Sequence, residues 1–277
     1  MSALTFTLKQ RPHAGVDASP LTPDGLLGKN IKQIKELQLA SGKTPVRAGD
    51  LFEIAGSDPQ HLIFRRVTDK LHHIGARMAQ GLIEVSGTAG DYLGREMRGG
   101  AIKLRGSAGH WVGAGMREGE IQVPGNVGDF LGAALPGQRE GMRGGLIVVA
   151  GNAGDRVGDR QRRGVIVIKG DAGAYCGSQM LAGTIMVLGH AGASPGTGMK
   201  RGTLVFTQNP EHLAPSFNTC GPLKMEFLRL LFRQMSFASP QLAMLRQFGP
   251  LAERLVGDMA SGGKGEILIL QGNYGRV

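Results

Sequence analysis

Seven glycines, Gly81, Gly100, Gly119, Gly145, Gly164, Gly183 and Gly202, recur at intervals of 19, 19, 26, 19, 19 and 19 residues. The long interval is 19 plus an insertion of 7, which falls in the stretch Ala133 to Glu140. A fixed period in this range makes each unit a structural repeat that contacts only its neighbours, so the chain folds as a stack. A stack is first of all a set of surfaces, and nothing in the repeat is itself a reaction centre.

The unit is too short for two helices, and its apolar residues alternate with period 2. Ile83 and Val85 recur as Ile102/Leu104, Ile121/Val123, Ile147/Val149, Ile166/Ile168, Ile185/Val187 and Leu204/Phe206. Apolar residues at i and i+2 share one face of a strand. One such strand per unit gives ladders of like residues at the parallel spacing of about 4.8 Å. Leu93, Val112, Leu131, Val157 and Cys176 supply a second inward wall. Gly87, Gly90 and Gly94, with their counterparts, mark sharp turns or close approaches between units. The predicted fold is all-β: a parallel β-helix of seven coils, right-handed by the chirality preference of parallel crossovers.

Composition agrees. The chain has 46 glycines and only 5% aromatic residues, too much glycine for an ordinary α/β enzyme and no collagen period. The N-terminus MSALTFTLKQ lacks a basic segment followed by a long apolar core, so no secretory signal is expected. No apolar run approaches the roughly 20 residues that span a bilayer. A cytoplasmic, soluble chain is expected. Two cysteines make no disulfide framework, and Cys176 at a ladder position reads as a buried, inert thiol.

Residues 1–60 read as an N-terminal cap, with a strand at Leu4, Phe6 and Leu8, a helix at Asn30–Ala40 and a strand within Gly49–Gly56. Residues 61–207 read as the β-helix, in which 61–80 is a degenerate first unit keeping only Gly75 at a repeat position, and 133–140 is the insertion. Residues 208–277 read as a helical segment with a final strand: one helix at Pro222–Met235 with Leu223, Phe227, Leu230 and Leu231 as its buried face, a second from Ser239-Pro240 towards Met259, and a strand at Glu266–Leu270.

The outward strand position is polar in three units (Glu84, Lys103, Gln122) and apolar in four: Val148, Val167, Met186 and Val205. An apolar packing stripe of that length, about 15 Å by strand spacing, needs a cover. Either the C-terminal helices or a partner subunit supplies it, and the helices, which follow the last unit directly, are favoured.

No P-loop is present, and G-x-x-G-x-x-x-G strings belong to the repeat. The seven histidines stand in neither H-E-x-x-H nor H-x-H spacing, and no C-x-x-C occurs, so no metal site is expected. Asp91, Asp129 and Asp155 share one turn position with His110, which reads as Asx-type turn bonding. Tyr92, Trp111 and Phe130 form an aromatic column continued by Arg156, Tyr175 and Ser194, which reads as structural stacking.

The formal charge is +10, and much of the excess sits at one repeat position: Arg98, Arg117, Arg143, Arg162 and Lys200, interrupted by Leu181. The preceding position holds Met97, Met116, Met142, Gln161, Met180 and Met199. The column reads either as a solvated edge or as a positive strip with flanking methionines that docks an acidic partner or polyanion. Nucleic acid is not expected, because interleaved exposed aromatics and a known reading module are missing. Two classes stay open on these grounds: a non-catalytic docking subunit, and a carbohydrate- or polyanion-active β-helix enzyme. The tight units favour the first.

Strings such as MRGGAIKLRGSAG (97–109), MRGGLIVVAGNAGDRVG (142–158) and LAGTIMVLGHAG (181–192) resemble the repeats of the C-type subunit of formylmethanofuran dehydrogenase. The same repeat is found in the C-terminal domain of the glutamate synthase large subunit. GDLFEIAG (49–56) and LVGDMASGGKGEILIL (255–270) resemble the former family in particular. The resemblance implies a subunit of a one-carbon complex working on formyl groups. One form is the bacterial formyltransferase/hydrolase complex, which moves formyl between tetrahydromethanopterin and a methanofuran analogue and releases formate. The other is the molybdenum or tungsten dehydrogenase of methanogens. The resemblance assigns catalysis to an amidohydrolase-type subunit and a formyltransferase, beside a dehydrogenase-B-like subunit. It places zinc, tetrahydromethanopterin and the methanofuran-type carrier in the complex rather than on this chain. The carrier's polyglutamate-like tail is a further candidate partner for the basic column.

Overall fold

The structure, a computed structural model, describes residues 2–271. Its centre is one sheet of 13 mostly parallel strands. In chain order these are β1 (Ala3–Leu8), β2 (Phe52–Ala55), β3 (Asp58–Val67), β4 (Leu82–Gly87), β5 (Arg98–Arg105), β6 (Glu118–Val123), β7 (Arg143–Val149), β8 (Arg163–Ile168), β9 (Thr184–Val187), β10 (Arg201–Phe206), β11 (Asn218–Lys224), β12 (Leu251–Gly257) and β13 (Lys264–Leu270). The sheet order is β11-β12-β13-β10-β9-β8-β7-β6-β5-β4-β3-β1-β2. From β3 to β10 every strand pairs in parallel with the strand of the next unit.

Register puts like side chains on top of one another. Leu62, Ile83, Ile102, Ile121, Ile147, Ile166, Ile185 and Leu204 pair in succession, and Ile267 of β13 continues the column. Every member is fully buried, worth roughly 1.5–3 kcal/mol each against exposure. A second column of single parallel bridges joins Ala89, Ala108, Val127, Ala153, Ala172 and Ala191 from unit to unit, and all six residues are buried.

Gly119 shows what the periodic position requires. Its φ is +98°, and a Cβ would lie 2.6 Å from the Gly100 carbonyl oxygen and 2.7 Å from the Met97 methyl. The methionines explain themselves at the same spot. Met97, Met116, Met142, Met180 and Met199 are fully buried, and the tips of Met97, Met116 and Met142 end over Gly119, Gly145 and Gly164 respectively. They do not flank the exposed basic column, because neighbouring residues of extended chain point to opposite sides.

At the N-terminal end β1 lies parallel to β3 and β2 antiparallel to β1, so Leu4 and Phe6 continue the ladders. Phe6 stacks on Phe64 at 5.0 Å and meets Phe52 edge-on at 5.7 Å. The helix expected at Asn30–Ala40 is confined to Ile31–Lys35. Asn30 and Gln33 form a capping box there, but Gln38–Leu39 pairs with Val46–Arg47 instead, because Leu39 is needed in the core.

The C-terminal segment departs further from expectation. Pro222–Lys224 belongs to β11, and the helix runs Glu226–Ala238. The expected second helix towards Met259 is a 3-10 helix at Pro240–Gln247 followed by β12. Pro250 brings no N–H to a continuing helix, and β12 is held by antiparallel pairing to β13, for example Leu255 with Ile267. The last strand starts at Lys264 rather than Glu266.

Val148, Val167, Met186 and Val205 are completely buried. They form a second apolar core with Leu228, Phe232 and Met235 of the helix, Leu242 and Leu245 of the 3-10 turn, and Ala252 and Leu268. Gln122, expected in solvent, is half-buried and accepts a hydrogen bond from Gln241 at 3.0 Å.

Candidate functional site

Each residue of the basic column begins or precedes a strand and is fixed by backbone bonding to the unit before it. Arg117 N–H donates to Met97 O at 2.8 Å, and Lys200 N–H to Met180 O at 2.8 Å. The side chains divide into two groups. Arg98, Arg117 and Lys200 are exposed and make no ion pair among the described residues. Arg143 and Arg162 both reach Glu140 of the insertion, the former at 3.3 Å and the latter through Nη1. The insertion therefore pairs the two middle cations with one carboxylate and lowers the charge there, and the unpaired cations of the strip lie at its two ends. Reading the column alone missed Glu140; the signal was an acid at the end of the only insertion.

At the far end Lys200 and Leu181 line a cleft of about 550 Å³ with Arg139, Arg160, Gln179 and Gly198. Arg160 is oriented by hydrogen bonds to Gln179 Oε1 at 3.0 Å and Gln138 O at 3.2 Å. Three cations from the insertion, a turn and the basic column thus converge on one concavity, suited to a carboxylate- or phosphate-bearing ligand. Nearby, Asp258 ties the C-terminal segment to the stack. Burial works against its ionisation, but hydrogen bonds from Ser216, Gly198 and Ala260 outweigh this and hold its carboxyl below the usual range.

The Asp/His column does not make the expected turn bonds. Its side chains accept from the next unit: Asp91 N–H donates to His72 Nδ1 (2.9 Å), His110 N–H to Asp91 Oδ1 (2.8 Å), Asp129 N–H to His110 Nδ1 (2.9 Å) and Asp155 N–H to Asp129 Oδ1 (2.8 Å). The turn's own N–H groups are engaged elsewhere, Tyr92 with His110 O and Gly94 with Ile74 O. A parallel ladder runs through Ser107, Asn126, Asn152 and Asp171. These polar groups close the turns of the stack.

The aromatic column stacks as expected. Trp111 lies 4.2 Å from Phe130, Tyr92 lies 6.1 Å from Trp111, and His73 extends the column at 4.7 Å from Tyr92. Farther along, the Arg156 guanidinium sits 5.1 Å above the Tyr175 ring. All these residues have φ near +60°, which costs a non-glycine residue about 1–2 kcal/mol. Stacking returns about 0.5–1.5 kcal/mol per pair. Burial holds the His73 imidazole below its ordinary pKa, with Asp17 opposing and Arg95 assisting.

Cys176 is buried and its thiol is pushed up to about 12 by that burial, whereas Cys220 is exposed on β11. Among the described residues, no three His, Cys, Asp or Glu side chains are grouped so as to hold a metal ion. No described helix is long and apolar enough to cross a membrane.

The family model described as the GXGXG motif matches residues 62–221, more than half of the chain. This chain belongs to the GXGXG family. Known proteins resemble it over different lengths. The C-type subunit of the tungsten-containing formylmethanofuran dehydrogenase 2 of Methanothermobacter marburgensis is 36% identical over 99 residues. The corresponding subunit of Methanothermobacter wolfeii is 34% identical over 98. These alignments take in 34% of this chain and 36% of each relative, so the chain spans about a third of the length of the curated relatives it matches. A solved structure agrees over far more. It is the X-ray structure of the formyltransferase/hydrolase complex from Methylorubrum extorquens with methylofuran. One chain of it is 35% identical with a TM-score of 0.88, covering 97% of this chain and 100% of its own length.

Proposed function

We propose that this GXGXG chain is a structural and docking subunit of a formyltransferase/hydrolase complex. In this reading the complex moves formyl between tetrahydromethanopterin and a methanofuran analogue and releases formate, as part of formaldehyde oxidation in the cytoplasm. The observation that carries it is likeness along the whole molecule, caps included, to a chain of such a complex. Chemistry is assigned to amidohydrolase-type and formyltransferase partners, with a dehydrogenase-B-like subunit beside them, and zinc, tetrahydromethanopterin and the carrier reside with those partners. The use of its His and Asp columns as backbone acceptors supports a non-catalytic role here.

We read the stack as a right-handed parallel β-helix of seven 19-residue coils at 61–207, between a cap at 1–60 and a C-terminal segment at 208–277. Arg98, Arg117 and Lys200 form the docking strip. The cleft of Arg139, Arg160 and Lys200 is where a polyglutamate tail would be held. Similarity to a subunit of the tungsten enzyme supports a second assignment, to a molybdenum or tungsten dehydrogenase.

Affinity purification of the tagged chain from its native host tests both. Co-purifying subunits with zinc alone support the hydrolase complex; molybdenum or tungsten supports the dehydrogenase. A chain recovered as a lone monomer with hydrolytic activity of its own refutes the docking role. Arg98→Glu with Arg117→Glu is expected to weaken assembly, and intact assembly and activity in that variant would remove the strip from the proposal.

A further inference from the structure

The C-terminal helix Glu226–Ala238 is apolar on two sides. One face buries Leu228, Phe232 and Met235 against the stripe of the stack. The other presents Leu230 and Phe237, which are 69% and 68% exposed, with Phe227 at its edge 41% exposed. At 100° per residue, Leu230, Arg233 and Phe237 share the side turned away from the sheet. Scattered surface leucines are ordinary, but these aromatics are set among arginines. Arg246 lies 4.9 Å and Arg233 5.9 Å from the centre of the Phe237 ring. Together with Arg229 they line a notch of about 450 Å³ that contains no carboxylate. Arg229 meets Glu226 at 3.6 Å, whereas Arg233 and Arg246 have no ion pair among the described residues.

We propose that this outer face of the helix is a second, separate docking surface, and that its occupant is an acidic segment of a partner subunit whose carboxylates enter the arginine notch while apolar side chains cover Leu230 and Phe227. The inference requires the chain to work in a complex, as proposed above, but not any particular chemistry of that complex. Arginine with aromatic anchors is the composition that dominates binding energy at protein interfaces. A second copy of this chain fits poorly, since a two-fold contact would bring the same arginines together on a chain of net charge +10. A small anion would fill the notch and leave Leu230 and Phe227 bare.

The full chain, tagged and co-expressed with its partner subunits, provides the test. Two double variants are compared with wild type: Leu230→Asp with Phe237→Asp, and Arg233→Glu with Arg246→Glu. All four positions are on the surface, so unfolding midpoints close to wild type are expected. Partner recovery is expected to fall at least about tenfold in both, and in the arginine pair the residual binding is less sensitive to salt than that of wild type. A photo-cross-linker placed at position 230 of the otherwise unaltered chain is expected to label a partner segment rich in Asp and Glu, and reports even where a double variant folds poorly.

Wild-type recovery of partners by both variants, with no cross-link from position 230, overturns this surface and leaves the docking role standing. Failure of the wild-type chain to bring down any subunit refutes both. Dimerisation of the isolated chain that the variants abolish, or its flotation with phosphatidylserine vesicles that they abolish, reassigns the face to a second copy or to a membrane and equally overturns the proposal.

Discussion

Two glycine substitutions separate backbone conformation from packing in the stack. Gly137, in the insertion, has φ +79° and no heavy atom within 4 Å of a built Cβ. Alanine there meets only the left-handed backbone cost of about 1–2 kcal/mol, partly offset by about 0.4–1 kcal/mol from a stiffer unfolded chain. A net loss of about 1 kcal/mol is expected. Gly119 has a comparable φ of +98°, but its Cβ would stand 2.6 Å from the Gly100 carbonyl and 2.7 Å from the Met97 methyl. The methionine tip can swing away; the carbonyl belongs to a paired strand and cannot. Overpacking of this kind adds about 1–3 kcal/mol, so Gly119→Ala is expected to cost about 2–4 kcal/mol. Urea unfolding of the purified chain by circular dichroism gives both midpoints, and the slope must be compared too, because stacked repeats can unfold in parts. Adding Met97→Ala to Gly119→Ala should not restore stability. Equal midpoint losses at 119 and 137 would show that the periodic glycines serve backbone conformation alone, and full rescue by Met97→Ala would show that the carbonyl contact is irrelevant.

Three further outcomes are expected. Asp129→Ala should cost about 1 kcal/mol by removing the acceptor for Asp155 N–H, while Asp129→Asn, which keeps the oxygen, should be nearly neutral in the same unfolding assay. Because burial depresses the His73 pKa in the folded chain, stability should be fully present above the unfolded value of about 6.5. It should decline as pH falls below it, since the unfolded chain takes up the proton first; His73→Phe should flatten that part of the profile. Thiol titration with a chromogenic disulfide should count one fast group, Cys220, and a second, Cys176, only after denaturation; two fast groups would contradict the burial of Cys176.

The ladders were legible because strand alternation and the glycine period report the same thing twice. Ile83 and its counterparts have one compatible environment, and they occupy it. The C-terminal segment was not legible to the same degree. Leu251–Gly257 carries apolar residues at Leu251, Ala252, Leu255 and Val256, a spacing compatible with a helix face, and only pairing with β13 decides for a strand. Asp91, His110, Asp129 and Asp155 were seen as a column, but His72, which begins the ladder, was not, and each bonding partner lies one unit away where no local rule reaches. In the basic column, position alone indicated a strip interrupted only at Leu181. Glu140, brought in by a loop outside the period, divides it in two. The buried face of the C-terminal helix was misread: Leu223, Phe227, Leu230 and Leu231 have helical spacing, but Leu223 lies in β11, and the helix buries Leu228, Phe232 and Met235 while Phe227 and Leu230 stay exposed.

The methionine contact across units bears on how such a chain can change length. The Met116 methyl lies 2.7 Å from where a Cβ on Gly145 would stand although 7 extra residues intervene, just as the Met97 methyl lies 2.7 Å from that place on Gly119. The insertion leaves the step between neighbouring strands untouched. Length is therefore added or removed in whole increments of about 4.8 Å, while loops of any size hang from the side. Such a molecule behaves as a graduated ruler: the spacing between whatever its two ends hold is set by a count of strands, and material gained along its flank changes what it touches without altering that spacing.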